Sequence, residues 1–498
     1  MQASSRWSVR WQRLRQSAAL TLGVSLTLPA FVLPPAQAQL GMSCARTAEE
    51  VQAKSDLLRA MVAGDRKAQR RYEERIKDHL KLLDDCRRKN WPEKQALWLR
   101  LYPCDAKPGV LEQVLDQAVN MGYNQVYVEV FFDGRVLLPQ SSNPTAWPSV
   151  LNQPDQANTD LFKLALDKGR ERGLEMYAWM YTMNFGGTYG QRGDRKDTLA
   201  RNGRGQTSLD LVPGSTQTFI DPYNRLAIRD YSVLMQEVIK RRPDGVLFDY
   251  VRYPRGSGSA SVVGDVKDLL VYGTASQQAL IKRATNAKGQ ELIRRFVQKG
   301  HIGIGDLKEL NKKYPREQEP LWQGRISGTL GKSASLDQQQ QTLQQELWFL
   351  SVAHAYQGVV DFLDMAARPV QQAGLSSGAV FFPGGNKAVG QRGFDSRMQP
   401  WDRFSPSLQW HPMAYAACGS ANCILEEVRD VINSAPPGVK VQPALAGAWG
   451  RSAYGNRPSL EQQMAGLRPL SSSITTVSHF AYSWQQPQND TNRKSCRL

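Results

Sequence analysis

The run Asp244-Gly245-Val246-Leu247-Phe248-Asp249 ends an apolar stretch on a carboxylate and continues as Tyr250-Val251-Arg252-Tyr253-Pro254. A charge in that position is costly unless it is paired or used. Carboxylates set among aromatic rings suit one chemistry in particular. Two acids protonate a glycosidic oxygen and stabilise an oxocarbenium-like centre, while ring faces stack on the C–H faces of sugars. Asp249 leads, and Glu129 and Asp133 are the candidates for its partner, with Asp221 behind them. Trp179, Tyr181, Asn184, Tyr250, Arg252, Tyr253, His411, Tyr415, Trp449, Tyr482 and Trp484 are the candidate substrate contacts.

Plainer readings stand beside these. Asp249 can be an ion-pair partner of Arg252, and Glu129 can pair with an inward-facing arginine. Asp221-Pro222 reads as a helix start capped by Asp221 or Asn224. His411 and His479 suit a core as well as a subsite, and Trp179 and Trp449 suit barrel packing. No nucleophile elbow, P-loop or zinc motif occurs, and no CxxC pair, so no metal or cofactor is expected.

Elements able to bring these residues together recur along the chain. Strands are expected at 96–102, 125–132, 174–181, 245–251, 377–383, 407–413, 439–446 and 476–483. Helices at 109–121, 159–172, 224–241, 341–372, 421–434 and 459–468 fall between them. Alternation of this kind predicts a parallel sheet, and eight strands close a (β/α)8 barrel with its site at the C-terminal strand ends. An open doubly-wound sheet is the competing arrangement, but no G-x-G-x-x-G follows the first strand. The long connections 182–222 and 255–340 are expected at the catalytic face. Residues 39–94 read as a helical hairpin turning near Ala63-Gly64-Asp65, its charges forming a solvated face, and 486–498 as an irregular polar tail.

The fourth-strand motif resembles that of the family-10 glycosyl-hydrolase-like proteins, secreted or envelope barrels. Phe219-Ile220-Asp221-Pro222 with Arg229-Asp230-Tyr231, the stretch Val128-Glu129-Val130 to Asp133-Gly134-Arg135, and Trp410-His411-Pro412-Met413-Ala414-Tyr415 extend the resemblance over about 95–485. It implies a TIM barrel and makes Asp249 the leading catalytic carboxylate. Many such proteins carry a second acid directly after the first, where this chain has Tyr250.

Arg6, Arg10, Arg13 and Arg15, an apolar stretch broken by Pro29, and Ala36-Gln37-Ala38 form a signal-peptide pattern, with cleavage expected after Ala38. The apolar stretch is shorter than the roughly 20 residues a spanning helix needs. The mature chain is therefore expected to be soluble, in the periplasm or outside the cell. There six cysteines are expected to pair. Cys44 and Cys86 flank the hairpin, Cys418 and Cys423 can close a short loop, and Cys104 would then meet Cys496; free buried thiols are the alternative.

At 498 residues the chain could hold three domains, but the pattern favours a leader, a hairpin and one barrel with an insertion. Loss of the four leader arginines lowers the net charge from +17 to +13. A basic exported protein meets anionic glycans such as peptidoglycan before nucleic acid. A glycoside hydrolase is the first expectation; a glycan-binding barrel without turnover, or an envelope scaffold, is the alternative.

Overall fold

The computed structural model describes residues 44–497 apart from 213, 332, 392, 453 and 454. The expected leader lies outside these residues. Eight parallel strands form the framework: β1 (Lys94–Leu99), β2 (Gln125–Phe132), β3 (Glu175–Tyr181), β4 (Gly245–Asp249), β5 (Ser376–Phe381), β6 (Gln409–Ala414), β7 (Ala444–Ala446) and β8 (Thr476–Phe480). Each pairs with the next, and β1 pairs with both β8 and β2, so the sheet closes into a (β/α)8 barrel. The strands read as nearly unbroken apolar runs because both of their faces are covered.

Helices α1 (Ala48–Val62), α2 (Arg66–Lys89), α3 (Val110–Asn120), α4 (Leu161–Glu171) and α5 (Arg225–Lys240) occupy the first half. The insertion after β4 holds α6 (Thr274–Ile281), α7 (Ala287–Lys299) and α8 (Ile304–Lys313), and leads into the 37-residue α9 (Leu336–Gln372). Ser335 caps α9 with a reciprocal Gln338 contact, which starts it five residues before the expected 341. Helices α10 (Ala421–Ser434), α11 (Leu460–Leu467) and α12 (Pro487–Ser495) follow, besides single-turn helices at Gly187–Gly190, Ser208–Leu211 and Tyr482–Gln485.

Among the described residues the β5–β6 connection carries no α-helix. A 3-10 turn at Trp401–Arg403 takes its place, with the Trp401 ring stacked 4.9 Å from Phe381 and edge-on to Trp410. Trp401, with Phe404 edge-on to the same Phe381 ring, covers apolar area that a helix would normally cover.

Hairpin α1–α2 turns where expected, but its charges are not all solvated. Lys54 and Arg87 are buried. Lys54 pairs with Asp116 of α3 at 3.4 Å, and Asp116 accepts hydrogen bonds from Tyr72 Oη (2.7 Å) and Arg172 Nε (2.9 Å). Arg87 donates to Gly122 O and Gln95 Oε1. These groups escape the cost of burial because each finds a counter-charge or carbonyl on the barrel. The periodicity of a helix reveals an apolar stripe but not which long side chains fold back under it.

All three disulfides form as expected: Cys44–Cys86, Cys104–Cys496 and Cys418–Cys423. The tail is not irregular. It forms α12, held by Arg493, which is fully buried and donates to both oxygens of Asp105 at 2.7 Å and to Arg100 O at 2.9 Å. Burial of a paired arginine orders a segment whose composition alone is that of a loop. Asp105→Ala should therefore cost about 3–5 kcal/mol, the penalty for stranding a buried charge. A lower urea midpoint at unchanged m would report it.

Candidate active site

Strand β4 ends at Asp249, whose side chain is buried at the C-terminal mouth of the barrel. Trp179 Nε1 of β3 donates to Oδ2 at 3.1 Å, and the backbone N–H of Tyr250 donates to Oδ1 at 2.6 Å. Burial raises the Asp249 carboxyl above its ordinary value, against the lowering influence of that N–H, Arg252 and Trp179. A carboxyl whose charged form burial disfavours in this way is suited to proton donation.

Tyr250 follows with φ of 53°, a left-handed conformation that a bulky residue adopts only under constraint. The turn lays its ring 4.2 Å from Tyr181, and Gln217 Nε2 donates to its hydroxyl at 3.2 Å. The Arg252 guanidinium sits 4.6 Å from the centre of the Tyr250 ring and donates from Nη1 to Tyr253 O. It makes no ion pair with Asp249, so that plainer reading of Asp249 is set aside. Tyr415, just past β6, is half-buried and packs on Phe480 and Phe382. Burial and the nearby Asp249 charge both hold its hydroxyl well above the ordinary range.

One layer deeper lies Glu129. The register sets Leu99 opposite Val128, which brings Arg100 beside Glu129. Arg100 Nη2 donates to Oε1 at 3.0 Å, and its Nε donates to Oε2. Burial raises the Glu129 carboxyl, opposed by Arg100 and by a hydrogen bond from Tyr181. The ion-pair reading of Glu129 is therefore the one realised. Trp179, opposite Glu129 in the register, meets Trp98 edge-on at 4.8 Å, and Phe480 packs on both rings.

Several expected contacts lie elsewhere. Asp133 is exposed, with φ of 44° ahead of Gly134 at 73°, and its carboxylate accepts from Thr216. Two positive φ angles make the type I′ turn that Asp-Gly favours between paired strands, here β2 and the short Arg135–Val136. His411 is fully buried against Tyr127 with no polar partner, and burial pushes its imidazole down to about 3. It fills the barrel. His479 faces the helix layer, bonded to the Tyr123 hydroxyl, which also accepts from Trp449 Nε1. Trp449 is thus a packing residue. Tyr482 binds Gln117 and Asn489 and anchors the C-terminal segment. Asn184 accepts from the Gly186 and Thr218 N–H groups, and Tyr253 is buried with its hydroxyl unpartnered. Asp221 is buried, with burial pushing it up to about 6, and accepts from Tyr223 and Ser276 N–H groups; Asn224 is the cap of α5. Trp484 is half-buried, edge-on to Phe480, and lines a cleft of about 520 Å³ with Arg451 and Asp490.

Sequence reasoning missed Arg100, Trp98, Phe480 and Gln217. Arg100 left a trace, a lone cation closing the apolar run Ala96-Leu97-Trp98-Leu99. The others look like ordinary core or loop residues. Among the described residues no three His, Cys, Asp or Glu side chains gather as a metal site.

No family model matches the chain, and no curated protein does. Solved structures do match. A GH20 catalytic module of the pneumococcal exo-β-D-N-acetylglucosaminidase StrH aligns over 81% of this chain and 82% of that one, at 10% identity and a TM-score of 0.41. The GH20 exo-β-N-acetylglucosaminidase of Vibrio harveyi aligns over 81% and 53%, at 10% identity and 0.38. A hypothetical protein from Ruminiclostridium thermocellum aligns over 32% and 77%, at 17% identity and 0.25.

Proposed function

We propose that this chain is an exported glycoside hydrolase acting on a polysaccharide or cell-wall glycan, with Asp249 as its proton donor. The observation that carries the reading is a buried, raised carboxyl at the barrel mouth, ringed by Trp179, Tyr181, Tyr250 and Tyr415. Tyrosine faces bind sugar rings through their C–H faces, and a protonated carboxyl among them can donate to the glycosidic oxygen as the bond breaks. Glu129, held by Arg100 and Tyr181 a layer below, places a second acid under the same ring. The fourth-strand resemblance to family-10 glycosyl-hydrolase-like proteins supports the assignment of Asp249. Three disulfides fit an oxidising compartment, and no helix among the described residues is long and apolar enough to cross a membrane.

A second reading has its own observation. Both Glu129 oxygens are engaged by Arg100, and the position after Asp249 holds a tyrosine, which leaves one free acid. A barrel with one acid can bind glycan without cleaving it. Incubation of the purified protein with cell-wall, plant and algal glycans, products weighed by mass spectrometry, separates the two. Shortened glycans are expected; binding without products would establish the second reading.

A further inference from the structure

The run of glutamines opening α9 has no part in the barrel mouth. Gly358 of α9 lies against Pro222 and Tyr223, next to the start of α5, at the rim where βα connections leave the barrel. At 1.5 Å per residue, the 22 residues Leu336–Gln357 project roughly 30 Å past that rim. Gln341, Gln344, Gln345 and Trp348 recur at i, i+3, i+4 and i+7, so they share one helix face. That face, with Gln340, lines a cleft of about 600 Å³ against Phe296 and the turn at 264–266, a volume in the ordinary range for ligand sites.

Its lining is mostly uncharged. Asp265 is the one charged residue among its lining, and one of its carboxylate oxygens accepts from the Lys267 N–H. Solvated helix faces ordinarily carry Lys, Arg and Glu, which are absent here. Two of the amides are preset by the backbone of Ile302. Gln340 Nε2 donates to its carbonyl at 2.7 Å, and Gln344 Oε1 accepts from its N–H at 2.8 Å. One acceptor (Gln340 Oε1) and one donor (Gln344 Nε2) are thereby left over on neighbouring turns. The side chains of Gln341 and Gln345 are exposed and have no hydrogen-bond partner among the described residues. Amides both give and receive hydrogen bonds, as vicinal hydroxyls do, and the buried rings of Trp348 and Phe296 supply an apolar floor.

We propose that this cleft is a second glycan site, taking a neutral oligosaccharide segment above the barrel. Turnover at Asp249 is not required for it. The test is calorimetric titration of the full chain carrying Asp249→Asn with cellohexaose, laminarihexaose, maltohexaose and chitohexaose, repeated with Gln341→Ala and Gln345→Ala added. At least one oligosaccharide should bind, and the added substitutions should weaken it about tenfold at an unchanged melting temperature. Absence of binding to all four, or binding undiminished by the two substitutions, overturns the site. Failure of the wild type to cleave any of them counts against the hydrolase reading alone.

Discussion

Asp249→Asn is expected to lower glycan turnover by about 10²–10⁴-fold, the usual contribution of a positioned general acid. The amide oxygen can still accept from one of the two donors, and the rings of Tyr181, Tyr250 and Tyr415 are untouched, so glycan binding should persist. The transferable proton is lost, together with one of the two hydrogen bonds the carboxylate accepts from Trp179 Nε1 and the Tyr250 N–H. Asp133→Asn is the matched control, because asparagine suits the type I′ turn and Asp133 stands exposed outside the cluster. Its turnover should equal that of the wild type. The pH profile gives a second reading. Burial raises Asp249, so the alkaline limb of kcat/KM should lie above the ordinary carboxylate value. A limb at or below that value would remove Asp249 as the acid.

The second large effect concerns acid stability. Burial pushes His411, His354 and His479 down to about 3 and His79 to about 4, whereas an unfolded histidine titrates near 6.5. Below about pH 6.5 the unfolded chain therefore takes up protons that the folded chain refuses, and stability falls as pH falls toward the folded values. Buried Asp221, pushed up to about 6, acts with the opposite sign, since it holds its proton in the folded state. His411 isolates the effect because it has no polar partner to lose. Between about pH 7 and pH 4.5, His411→Leu should gain roughly 3 kcal/mol on the wild type, two pK units at 1.36 kcal/mol each. Urea titrations at both pH values measure it, and a constant difference would refute it.

The barrel was legible because parallel strands covered on both faces have to be apolar, and turns and amphipathic helices punctuate them. Strand β2 falls where its run QVYVEVFF predicts, and the cysteine pairing follows from which elements the fold brings together. The tail was misread for a related reason. Its composition is that of a loop, and its helix depends on Arg493 reaching Asp105 almost four hundred residues away in the chain.

Asp249 was legible as well, since a carboxylate ending a buried strand is conspicuous in any sequence. Which residues join it was not. Strand alternation says that a side chain points inward, but depth in the barrel depends on register between strands. Register put Arg100 on Glu129 and left His411 below the mouth. Asp133 and Tyr482 share the residue types of the site and lie close to strand ends, yet a turn and a helix anchor claim them. By itself, then, the sequence determined the barrel, its strand order and the acid at the end of β4, because burial and periodicity act locally along the chain. Only the tertiary structure decided which rings and charges surround that acid, because pairing across strands depends on distances that one-dimensional spacing does not contain.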